Sequence, residues 1–179
     1  MIGDMAMQDK KTYLYKELLI EIEKCHRNKQ YEQMSEIYAE MDRIIYGDDE
    51  YTQESNELNR LESKTFFAPL LDNNLIELPK EMVKELNISS TDLLSVTAVR
   101  YPDIIIINVY KKPLYDFNKD EDVFGFKPLG KYDAKIKNRR IQIKDYIINA
   151  MHVKPYDTLQ IDFLSGIMCI RAYQMALPY

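Results

Sequence analysis

The chain has 179 residues, 46% of them hydrophobic and 30% charged, with a formal net charge of −5. That balance excludes a disordered chain, and the length is enough to bury a core in one or two domains. No apolar run approaches the roughly 20 residues of a membrane-spanning helix, and five glycines, none in a phosphate-loop or dinucleotide pattern, argue against a nucleotide enzyme. The opening residues Met1–Asp9 carry neither a basic nor an apolar leader region, so no secretory signal is expected. Cys25 and Cys169 stand in unlike surroundings and predict reduced thiols in a cytoplasm.

Residues 9–46 carry helical spacing. Tyr13, Leu14, Leu18, Leu19, Ile22 and Cys25 or His26 form one stripe, and Met34, Ile37, Tyr38, Met41, Ile44 and Ile45 form a second after a break at Asn28-Lys29-Gln30. Gly47-Asp48-Asp49-Glu50 stops the second helix, and a third short helix is expected over about 52–63. The region 1–64 thus reads as an α-helical hairpin that packs or assembles the protein. Residues 9–63 also offer an acidic groove for a protein partner.

Thr65–Leu71 and Asn74–Leu78 read as strands about the turn Asp72-Asn73, followed by a short helix from Pro79 to Leu86. Asn87 suits a left-handed helix end. Leu93–Arg100 and Ile104–Tyr110 read as a closing hairpin, and the four isoleucines Ile104–Ile107 predict a strand covered on both faces. Residues 113–127, with the acidic run Asp120-Glu121-Asp122, read as a linker. The same grammar then returns over 128–179: strands at 131–137 and 140–144, a helix at 145–151, strands at 158–163 and 167–173.

The two stretches align with each other. Shifted by 65 residues, Ile141, Ile143, Ile147, Ile148, Met151, Val153, Asp157, Leu159 and Ile161 fall on Ile76, Leu78, Met82, Val83, Leu86, Ile88, Asp92, Leu94 and Val96. That is an internal repeat, and two copies suffice for one shared core but not for a solenoid. The copies differ in charge. The first, residues 65–112, holds 5 basic and 6 acidic side chains, a net −1, and the second, residues 127–179, holds 9 basic and 4 acidic, a net +5, while the helical front 1–64 holds 9 basic and 15 acidic, a net −6.

Leu75-Ile76-Glu77-Leu78-Pro79-Lys80-Glu81 with Leu86-Asn87-Ile88 and Asp92-Leu93-Leu94, and again Arg140-Ile141-Gln142-Ile143-Lys144-Asp145 with Met151-His152-Val153 and Asp157-Thr158-Leu159, resemble the AbrB/MazE/MraZ swapped-hairpin module over roughly residues 65–173. Asn87, Thr91, His152 and Tyr156 stand where that family usually has glycine. The resemblance implies an α+β chain in which a duplicated ββαββ swapped-hairpin β-barrel follows the helical hairpin. It also implies a non-enzymatic, DNA-binding transcriptional regulator that needs no cofactor or metal and binds double-stranded DNA through basic residues of the first hairpin. The same duplication builds protein-binding double-psi barrels, so fold alone does not settle function. A non-DNA-binding interaction module, antitoxin-like or adaptor, using the acidic helical front is the alternative.

The second copy has the residues for DNA contact: Lys131, Lys135, Lys137, Asn138, Arg139, Arg140 and Lys144. On a strand Lys135, Lys137 and Arg139 would project together. The arginines suit phosphates or guanine edges, and Asn138 suits adenine. The plainer reading of these charges is a solvated strand face, or pairing with the acidic front. The first copy has only Asp72 and Asn73 at the matching tip, so two-tip binding requires a homodimer or larger oligomer. Cys25-His26 is too little for a zinc site, His152 reads as a helix-end residue, and no catalytic triad or carboxylate pair is recognisable.

Overall fold

The structure, a computed structural model, describes residues 2–46, 63–111, 127–164 and 166–174. The third helix expected over 52–63 and the linker 113–127 lie, but for Ser63 and Lys127, outside the described residues. Two compact units are distinguished, an N-terminal one running to Phe67 and Ala68–Tyr173. Among the described residues no helix is long and apolar enough to cross a membrane.

In the N-terminal unit, α1 (Ile2–Arg27) and α2 (Tyr31–Tyr46) form a hairpin. Lys29 takes the left-handed φ of 57° there, with Gln30 N–H donating to Cys25 O at 2.9 Å and Lys29 N–H to His26 O at 3.0 Å. These nested bonds satisfy the last carbonyls of α1 and turn the chain back. Ile22, Cys25, Met34 and Met41 are buried, matching the helical spacing. Tyr13 and Leu14, at the start of the expected stripe, are exposed instead, as are Ile20 and Ile45.

The second unit is built on one antiparallel, nearly closed, barrel-like sheet of eight strands. They are β1 (Ser63–Leu71), β2 (Leu75–Glu77), β3 (Leu93–Arg100), β4 (Ile105–Lys111), β5 (Lys127–Lys135), β6 (Arg140–Gln142), β7 (Thr158–Leu164) and β8 (Ile167–Ala172). Helix α3 (Lys80–Glu85) follows β2, and α4 (Asp145–Met151) follows β6. The strand order is β5-β3-β4-β8-β7-β1-β2-β6. A bridge between Lys137 and Arg140 joins the two ends. Inward residues such as Leu94, Val96, Ile107, Val109, Leu159, Ile161, Met168 and Ile170 are fully buried. Ile104–Ile107 are not covered on both faces alike: Ile105 and Ile107 are buried, while Ile104 and Ile106 are half-buried, the alternation of a strand with one face in the core.

Residues 65 apart make the same bonds. Ser89 N–H donates to Asp92 Oδ2, and Lys154 N–H to Asp157 Oδ2, each at 2.7 Å. Leu78 N–H donates to Arg139 O at 2.7 Å, and Ile143 N–H to Asn74 O at 2.9 Å. Asn87 and His152 both hold positive φ, 48° and 56°, the left-handed helix ends their residue types favour. Across β2 and β6 the aligned pair Ile76 and Ile141 face each other. Exchange of the two strand–strand–helix–strand–strand halves leaves the cyclic strand order unchanged.

Candidate nucleic-acid interface

The basic residues cluster on the hairpin of β5 and β6. Lys137 and Arg140 exchange both backbone bonds, at 3.0 and 2.9 Å, and Asn138 and Arg139 between them hold φ of 51° and 60°. Two successive left-handed residues give a two-residue turn whose twist matches the strands it joins. Asn adopts that conformation readily; Arg does so at a cost.

Lys131, Lys135 and Lys137 are exposed, alternating with the buried Ala134 and Ile136 along and just beyond β5. Arg139 does not continue their face. The strand ends at Lys135 and the left-handed turn redirects the next side chains, so Arg139 Nη2 reaches Glu77 Oε1 at 2.6 Å. Arg140, opposite Glu77 in the β2–β6 ladder, places Nε and Nη2 at 3.2 and 3.1 Å from Glu77 Oε2. Both arginines therefore pair with a carboxylate of the sheet itself. Sequence reasoning does not reach Glu77: the repeat offset aligns it with Gln142, and only the antiparallel register of β2 and β6 sets it opposite Arg140.

Lys144 is exposed at the start of α4, with its ammonium 5.4 Å from the centre of the Tyr132 ring. The Tyr132 hydroxyl donates to Gln142 O at 3.2 Å and accepts from Lys144 N–H at 3.3 Å. A side chain thus bridges β5 to the chain around β6, beyond their backbone bridge at Lys137 and Arg140. Burial pushes the Tyr132 hydroxyl up to about 12, with the Lys144 amide opposing the shift and Tyr146 adding to it. Beside this bridge lies an open groove of about 430 Å³ lined by residues 132–135 and 142–145. Its lining holds two cations, Lys135 and Lys144, and two acids, Asp133 and Asp145.

Tyr146 of α4 lies against β5 at Gly130, where an added β-carbon would clash with its hydroxyl. The first-copy tip is occupied differently. Asn74 Nδ2 donates to Asp145 Oδ1 at 2.5 Å, and the Tyr156 hydroxyl donates to Asp72 Oδ2 at 2.5 Å. Each tip thus engages the other copy, and the second-copy hairpin in addition carries the exposed Lys135 and Lys137. Cys25 and Cys169 are free thiols, both pushed up chiefly by burial. Among the described residues no three His, Cys, Asp or Glu side chains converge as a metal site.

No family model and no curated protein matches the chain. Among solved structures, it is similar at 14% identity and a TM-score of 0.32 to the solution structure of PHS018 from Pyrococcus horikoshii, over 64% of this chain and 94% of that one. A score so low bears on neither fold nor function.

Proposed function

We propose that the protein is a DNA-binding regulator of the swapped-hairpin type, gripping duplex phosphates with the β5–β6 hairpin. The observation that carries this reading is the outward row of Lys131, Lys135 and Lys137 beside Arg140 and Lys144 on one hairpin. Cations so placed neutralise phosphates and release counterions, which supplies sequence-independent affinity. The interleaved strand order supports the swapped-hairpin part, because β5 pairs with β3 of the other half, and β1 neighbours β7. In this reading the first copy supplies pseudo-symmetry and structure, and a second chain supplies a second basic tip. Localisation is cytoplasmic, and no catalytic step is involved.

A second reading is favoured by one observation. Tyr13, Ile20 and Ile45 on the helical hairpin are 65%, 54% and 51% exposed. Apolar side chains displayed in this way, on a hairpin with acidic flanks, suit self-assembly or a protein partner.

The test is fluorescence anisotropy of a labelled A·T-rich duplex with the full chain at low salt, against Lys135→Ala/Lys137→Ala. Binding at micromolar concentration or below is expected, weakened about tenfold in the variant through two lost phosphate contacts. Absence of binding by folded wild-type protein would overturn the DNA reading and favour the assembly surface.

A further inference from the structure

We propose that Arg139 and Arg140 form a phosphodiester seat whose present occupant is the Glu77 carboxylate, so that Glu77 competes with DNA for the two arginines. The proposal rests on the DNA-binding reading of the same hairpin. Each carboxylate oxygen of Glu77 is taken by a different guanidinium: Oε1 by Arg139 at 2.6 Å, Oε2 by Arg140 at 3.1 and 3.2 Å. A backbone phosphodiester presents the same charge and the same pair of oxygens, and guanidinium groups bind it with the same planar fork.

Backbone structure holds the seat open independently of Glu77. Leu78, next to Glu77 on the chain, donates its N–H to Arg139 O at 2.7 Å, and the left-handed turn fixes where the arginine side chains start. A guanidinium nitrogen of Arg139 also lies 3.5 Å from Leu78 O. Glu77, Arg139 and Arg140 are 34%, 42% and 48% exposed, so an incoming phosphate can reach the site. Ion pairs this exposed are weak and readily exchanged. Two cations around one anion leave an excess positive charge that attracts a phosphate, while the carboxylate occupies the donors it needs. Each phosphate seated on this pair must displace Glu77.

Glu77→Gln keeps the shape and removes the anion. Binding of a labelled duplex at low salt should tighten about threefold to tenfold in the full chain carrying E77Q. The gain should vanish when E77Q is added to Arg139→Ala/Arg140→Ala, and Glu81→Gln, which removes an exposed acid from α3, should change affinity less than about twofold. Thermal melting of each variant checks that the fold is kept, and Glu77→Ala repeats the test should the amide make a new contact. If wild type binds and loss of the arginines weakens it, but E77Q and E77A bind no better, the seat is overturned and the DNA reading stands. A gain that persists without the arginines overturns it too, as a general charge effect. Lack of binding by wild type and E77Q alike removes the DNA reading beneath it.

Discussion

Tyr132 closes the basic hairpin with a side chain where a regular ladder would use backbone groups. Its proton is held because the ionised ring would have to be buried, and its hydroxyl stands at about 12 against an ordinary value of about 10. The folded value lies above the unfolded one. The stabilisation is therefore present in full below pH of about 10 and is lost as the pH climbs toward about 12. Tyrosinate absorbance against pH should show a late-ionising component that is smaller in Tyr132→Phe, and that variant should lose about 0.5–1 kcal/mol in urea unfolding at neutral pH, when Gln142 O and Lys144 N–H exchange their partner for water. An alkaline profile unchanged by the substitution would exclude Tyr132 as its source. At this scale the sequence identified the lysines because their charge is legible one residue at a time. It missed Tyr132 and Glu77 because their roles depend on what stands opposite them: Gln142 and Lys144 for the first, Arg139 and Arg140 for the second.

Among the elements, β2 and β6 are only three residues long each, yet Ile76 and Ile141 meet between them and neither has any accessible surface. Positions so equivalent in burial and in sequence offset should have equivalent energetics. Ile76→Ala and Ile141→Ala should each cost about 2–5 kcal/mol, agree within about 1 kcal/mol, and fall short of additivity in the double variant because the side chains share one contact. Urea unfolding at constant slope measures all three, and costs differing by several kcal/mol would show that the equivalence is only geometric. The elements themselves were legible. Alternating apolar residues mark the strands, and α4 occupies the expected 145–151. Ends were less so: β5 runs 127–135 instead of 131–137, because the left-handed pair Asn138-Arg139 ends the pleat early and periodicity alone does not register a turn made without glycine. Pro79 stands one position outside α3 as its cap, with Val83 N–H donating to its carbonyl at 3.1 Å.

Strand neighbours belong to the whole molecule, and local periodicity does not carry them. The repeat suggested that two copies share a core, but only the sheet order reveals β5 beside β3 and β2 beside β6. Seven of the nine cations of residues 127–179 lie on or beside the hairpin of β5 and β6, while the matching first-copy tip is bonded to Asp145 and Tyr156. A chain with net charge −5 should then bind a polyanion through one local field, not through its average. With about four phosphates neutralised per chain, the plot of log affinity against log salt should have a slope of roughly −3 to −4, and about twice that for an assembly presenting two tips to one duplex. Anisotropy over a salt series, with sedimentation of the same samples to count chains, ties the slope to the stoichiometry. A slope near −1 from a well-folded sample would mean that the hairpin meets at most one phosphate. The row of lysines would then be a solvated strand face, and the exposed apolar residues of the helical hairpin would become the surface to pursue.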